Sequence, residues 1–183
     1  MIPRLERVLT PADYQAITAG IPQQWRPLTE FLAVTGVRLG EAAALTAPDI
    51  DPGAGTCRIE RTWVCAAQYW EVVRARQVRT VTLPEMIIES LDLTREDEEL
   101  FRVGLTFGPG LMAQYRRVWG QAVLDAGGEL GRWRPRVHEL RRMCGSRLLG
   151  AGIPPEVVAA QLGWSMTATV RLRAVSGAHK STS

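Results

Sequence analysis

Two short segments, far apart in the chain, carry side chains suited to one kind of chemistry. The first is Thr35-Gly36-Val37-Arg38-Leu39-Gly40-Glu41, and the second is His138-Glu139-Leu140-Arg141-Arg142. A guanidinium is permanently charged, planar and forked, so it can hold two oxygens of one phosphate. Arg38 and Arg141 would bring two such forks from opposite parts of the sequence. His138 and Arg141 stand three positions apart, which puts them on one face of a helix. An imidazole in that place donates to a phosphate or shuttles a proton. Leu162-Gly163-Trp164 adds an indole N–H, a fixed donor. Cations that surround a phosphate in this way stabilise its trigonal-bipyramidal transition state without a metal. Each residue alone has a plainer reading. A helical Arg is usually solvated, a His beside Arg is usually a satisfied surface or core residue, and a Trp after Leu-Gly is usually core.

The elements that must position these residues are legible in outline. Thr10-Pro11-Ala12-Asp13 combines an N-cap, a proline in the first turn and an early acid, predicting a helix to Ala19. Trp25 to Val34 carries Leu28, Phe31 and Leu32 on one stripe and predicts a second helix, broken at Gly36. A short third helix is expected over Leu39–Leu45, with Arg38 just before it, followed by a turn at Pro48–Gly53. Residues 56–64, 69–73 and 79–83 are rich in β-formers and predict a three-stranded antiparallel sheet. Pro84 opens a helix to about Leu91. A charged connection with Gly and Pro covers 94–110. Further helices are expected over Met112–Ala126, Val137–Leu149, Pro154–Leu162 and Thr167–Arg173. The fold class expected is α+β, mostly helical.

Composition narrows the function classes. The 183 residues are 46% hydrophobic and 22% charged, an ordinary globular balance. No apolar run approaches a membrane span of about 20 residues, and the first residues lack the apolar stretch of a signal peptide. The three cysteines form no CxxC pair and no ligand pattern with the two histidines, so no metal, no cofactor and reduced thiols are expected. The expected location is the cytoplasm. Of the 22 basic residues 21 are Arg, the lone Lys being Lys180. A GC-rich coding sequence is the plainest source of that bias. The crowding of Arg132, Arg134, Arg136, Arg141, Arg142 and Arg147 around the second segment favours phosphate contact.

The order and context of these segments resemble the tyrosine recombinase (phage integrase) family, over about Leu9 to Val175. Thr-Gly-x-Arg-x-Gly-Glu precedes Leu45 and Asp49-Ile50-Asp51. His-x-Leu-Arg-Arg precedes an apolar helix, then Gly-Ala-Gly-Ile-Pro, then Leu162-Gly163-Trp164. The resemblance implies a helical catalytic domain with a small antiparallel sheet, gripping duplex DNA as one half of a clamp. It implies Arg38, His138, Arg141 and Trp164 around the scissile phosphate, with Arg74, Arg76 and Arg142 as further DNA contacts. The implied partner is double-stranded DNA, with self-association on it, in a bacterial or phage-encoded protein at the nucleoid. The domain is expected over residues 9–175, after a lead-in at 1–8 and before a polar, frayed tail at 176–183. The family's additional N-terminal core-binding domain has no counterpart in these residues.

Two features depart from that pattern. The family's hairpin lysine, general acid to the leaving oxygen, is missing from Val73-Arg74-Ala75-Arg76-Gln77-Val78-Arg79. Arginine gives up a proton poorly, and a positioned general acid is worth roughly 10²–10⁴ in rate. More serious, the tyrosine expected about nine residues after Trp164 is replaced by Arg173, and a guanidinium forms no stable phosphate ester. Tyr14, Tyr69 and Tyr115 all lie elsewhere. The expectation is therefore a DNA-binding, integrase-like domain unable to complete strand cleavage. Decay, retention as a regulator and deliberate substitution each account for Arg173. The alternative is a non-catalytic, Arg-rich interaction module, or a DNA-binding regulator derived from an integrase.

Overall fold

Helix α1 (Pro11–Ala19) begins where its caps require. The Thr10 hydroxyl accepts from the Asp13 N–H at 3.1 Å, and the Asp13 carboxylate accepts from the Thr10 N–H at 3.0 Å. Pro11 has no N–H, so this reciprocal pair satisfies two of the three orphan donors of the first turn. The computed structural model describes residues 7–178 apart from 67, 68 and 97. Most of the lead-in and the tail beyond Ala178 thus lie outside the described residues.

A 3₁₀ turn at Gln23–Trp25 leads into α2 (Arg26–Thr35). Gly36 caps α2 in the left-handed conformation, φ 64°. A Cβ there would collide with Leu162 and crowd Cys144, so only glycine lets the three segments meet. Helix α3 is shorter than expected, Leu39–Ala42. Ala44 and Leu45 instead donate to the carbonyls of Glu41 and Ala42, three residues back, which tightens the chain out of the α-helix.

The sheet has three antiparallel strands in the order β1-β2-β3: Ile50–Asp51, Thr56–Ala66 and Tyr69–Thr82. The strands differ from those expected. Residues 69–73 and 79–83 belong largely to one strand, β3, and the remaining strand comes from Ile50–Asp51, assigned to a turn. Ile59 pairs with Arg79 while Arg61 pairs with Arg74, so residues 75–78 bulge opposite Glu60. A bulge of this kind breaks alternation and reads in sequence as a gap between two strands.

Helix α4 (Glu85–Glu89) follows Pro84. Helix α5 (Gly108–Asp125) begins four residues earlier than expected, and a short α6 (Gly127–Leu130) follows where only a helix end was anticipated. Helices α7 (His138–Gly150) and α8 (Pro155–Leu162) match expectation closely, and α9 (Met166–Ala178) runs longer than expected.

The core lies between α2 and α5, with Leu28, Phe31 and Leu32 packed in one cluster with Leu111, Met112, Tyr115 and Trp119. Tyr115 and Trp25 rings lie 5.8 Å apart, and the Tyr115 hydroxyl donates to Thr29 Oγ1 at 3.0 Å. Trp119 Nε1 donates to the Pro135 carbonyl at 2.9 Å. That bond pins the loop before α7 against α5, and so sets one wall of the site described next.

Candidate functional site

Arg38 precedes α3, and His138 and Arg141 lie on the first turns of α7. All three line one cleft of about 1110 Å³, open between the end of α2, α5 and the loop before α7. Arg116 and Arg117 of α5 and Arg134 and Arg136 of the loop line it as well. Its wall thus gathers six arginines and one histidine. No Asp, Glu, Tyr, Ser, Thr or Cys lines it among the described residues.

Beneath the cleft, Glu41 is buried and accepts four hydrogen bonds. Arg38 donates its backbone N–H at 2.8 Å and Nη1 at 3.0 Å, and Arg79 donates Nη1 at 3.0 Å and Nη2 at 2.7 Å. Burial pushes the Glu41 carboxyl up, but the bonds and charges of Arg79 and Arg38 together outweigh it and hold its pKa below 4.5. Glu41 is therefore a full anion that orients Arg38, whose side chain remains 46% exposed.

Arg141 is only 1% exposed. Its Nη1 donates to the Gly36 carbonyl at 2.5 Å and its Nη2 to the Leu162 carbonyl, while the buried Nε has no partner. Burial, then the neighbouring Arg38, push this guanidinium down to about 9, which still leaves it charged at neutral pH. Trp164 covers it, with the ring centroid 5.3 Å from Cζ. His138 is exposed at the cleft. Desolvation, followed by the charges of Arg141, Arg38 and Arg142, lowers its pKa from 6.5, so the imidazole is neutral at physiological pH.

The other expected residues sit apart from the cleft wall. Arg74 and Arg76 are exposed on β3, Arg76 within the bulge. Arg142 is half-buried and pairs with Glu139 at 3.1 Å. Arg173 is exposed on α9, whose buried side includes Thr169 and Leu172. Of the three tyrosines, Tyr115 is in the core, Tyr14 is half-buried on α1, and Tyr69 is exposed at the start of β3.

Among the described residues no cluster of His, Cys, Asp or Glu could hold a metal. Cys57, Cys65 and Cys144 are free thiols, and no described helix is long and apolar enough to cross a membrane.

Sequence reasoning passed over Arg116, Arg117 and Arg79. The first two stand on α5 with no motif around them. Arg79 is placed by its strand pairing: directly opposite residues of an antiparallel pair share a face, and Arg79 pairs at the edge of the bulge with the fully buried Ile59. A cation on a buried face requires a buried anion.

The arrangement of this basic cleft coincides with a family match. Residues 7–174 match the model of the phage integrase family. The chain belongs to the phage integrase family. Solved structures of recombinases and integrases share its fold. The Tn1549 transposon integrase (residues 82–397), in complex with circular intermediate DNA, superposes with a TM-score of 0.76 at 18% identity. That match covers 91% of this chain and 62% of the other, so this chain spans less than two thirds of that fragment. The catalytic domain of bacteriophage HP1 integrase gives 0.66 at 19% identity, covering 96% and 91% of the two chains. The XerH site-specific recombinase, bound to palindromic difH substrate, gives 0.66 at 19%, covering 96% and 52%. No curated protein matches this integrase-family chain in sequence.

Proposed function

We propose that this integrase-family domain binds duplex DNA through the basic cleft and does not cleave it. In this reading Arg38, His138 and Arg141 hold one backbone phosphate. Arg116, Arg117, Arg134 and Arg136 meet neighbouring phosphates, and Arg74 and Arg76 touch the duplex from the hairpin. Trp164 keeps the Arg141 guanidinium in place. Arg142, tied to Glu139, contributes to the local positive field. The observation that carries the reading is the composition of the cleft wall: among the described residues, six arginines and a histidine, with no carboxylate. Glu41, beneath it, is shared between Arg38 and Arg79, so the wall keeps an excess of positive charge and attracts a polyanion.

Cleavage by the family's route needs a tyrosine hydroxyl close to that phosphate. Arg173 occupies the expected position, and no tyrosine lines the cleft among the described residues. The chain therefore acts as an occupier of DNA sites, in the cytoplasm at the nucleoid. Several copies on one duplex are part of this reading, to be read from binding stoichiometry. DNA in the Tn1549 integrase and XerH structures is consistent with the partner proposed.

Anisotropy with a labelled duplex across a salt series tests the binding. Each neutralised phosphate should add about −0.9 to the slope of log K against log salt. Loss of binding in Arg38→Ala and Arg141→Ala is expected. Insensitivity to salt and to both substitutions would favour the alternative of a protein-interaction module. A nicked duplex incubated with the protein and resolved on a denaturing gel tests the chemistry, with no covalent adduct expected.

A further inference from the structure

Both arginines central to the cleft are tied into one closed circuit. Arg38 donates to Glu41, and Glu41 is held by the fork of Arg79. The third donor of Arg79, Nε, reaches the Gln161 carbonyl at 2.9 Å. The next carbonyl along, that of Leu162, accepts from Arg141, and Arg141 returns to the Gly36 carbonyl, two residues before Arg38. The side chains of Arg79 and Glu41 are 7% and 3% exposed, so the link is shielded from water and little screened. All three nitrogens of the Arg79 guanidinium are engaged: Nη1 and Nη2 grip one carboxylate, and Nε grips the backbone at the end of α8.

We propose that Arg79 is the positioning residue of the cleft. It sets Arg38 relative to Arg141 and couples both to the corner between α8 and α9 that carries Trp164. The inference rests on the reading of Arg38 and Arg141 as the phosphate holders. Arg79 does not touch the DNA; it acts through Glu41 on Arg38 and through Gln161 on the peptide that Arg141 grips. A bidentate fork plus a third donor is required, which arginine supplies and lysine does not. Glu41 alone does not account for the arrangement. Without Arg79 its carboxylate would lose two of its four hydrogen bonds and be free to turn, taking the Arg38 side chain with it.

The test is a double-mutant cycle on binding to a short random-sequence DNA duplex, with melting temperature followed in parallel. Arg79→Lys keeps the charge and loses the fork. It is expected to weaken binding about tenfold, within the range of coupling for residues sharing one network. In that background Arg38→Ala is expected to cost little more, because Arg38 is no longer held. A melting temperature lowered with affinity unchanged would mean a structural ion pair only, and would overturn the proposal. So would a cost for Arg38→Ala that is the same in both backgrounds. If Arg79→Lys does not fold, the neutral pair Glu41→Gln with Arg79→Met, which leaves no buried charge alone, takes its place. Weakened binding in it is expected, and wild-type affinity would overturn the proposal. If Arg38→Ala and Arg141→Ala have no effect in the wild-type background, the reading of the cleft itself fails, an outcome distinct from failure of the Arg79 link.

Discussion

Trp164 reaches the guanidinium of Arg141 only because residue 145 has no side chain. A Cβ on Gly145 would stand 2.6 Å from Trp164 Cζ3 and 2.8 Å from Cη2. Gly145 lies one helical turn after Arg141 on α7, so the glycine and the arginine present one continuous surface to the indole. Gly145→Ala should therefore push Trp164 off Arg141. Overpacking of this kind costs about 1–3 kcal/mol, to be read from urea unfolding. A shift in the emission of Trp164 and a loss of DNA affinity should accompany it, whereas Ala at the open Gly150 should leave both unchanged.

Glu41 gives the domain a sensitivity to acid. Its folded-state pKa lies below its ordinary value, so the unfolded chain takes up the proton first. The stability it contributes is present above pH 4.5 and is lost as pH falls through the lower folded-state value. Glu41→Gln should abolish that part of the pH dependence in denaturant titrations. Glu41→Ala should be worse, leaving Arg79 buried without an anion, at a cost of about 3–5 kcal/mol.

His138 behaves in the opposite sense when DNA is present. In the free protein desolvation and three arginines hold its pKa below 6.5. A bound phosphate favours the imidazolium, so the complex binds a proton more readily than the free protein does. Affinity for duplex should rise as pH falls through about 6.5, and His138→Gln should flatten that profile. Without DNA the same depressed pKa makes the free protein lose stability as pH drops below 6.5, because the unfolded chain then holds the extra proton.

Arg173→Tyr is the decisive substitution for the chemistry. It should yield a covalent adduct on a nicked cognate duplex where the unmodified chain yields none. Arg74→Lys or Arg76→Lys added to it should accelerate the reaction by restoring a general acid, an effect of roughly 10²–10⁴ when such a group is well placed. An adduct formed by the unmodified chain through Tyr14, Tyr69 or Tyr115 would overturn the idea of a lost nucleophile.

What the sequence disclosed and what it hid follow from range. Local chemistry was readable: the Thr10–Asp13 caps, the break at Gly36, and the three-residue spacing of His138 and Arg141 each depend on neighbours within one turn. The gathering of Arg38 with His138 and Arg141 was reached through the order of the two segments, not through any local signal. The bulge in β3 was not readable, because residues 75–78 look like a connection until their partner strand is known. Arg116 and Arg117 stayed hidden because an arginine on a helix face has no sequence mark that separates solvent from cleft. Arg79 joins Glu41, 38 positions away, and Gln161, 82 positions away, so its role exists only in the folded chain.

The tie between Arg141 and Gly36 spans 105 positions. A ribosome releasing this chain has therefore finished the first segment long before its counterpart leaves the exit tunnel. Until Leu162 has emerged, Arg141 lacks one of the two carbonyls that hold it. Loop-closure entropy for this tie is met only when both of its ends are present. A nascent chain thus carries its arginines apart, as scattered cations on an open polymer. They are drawn together only once the second segment has been made.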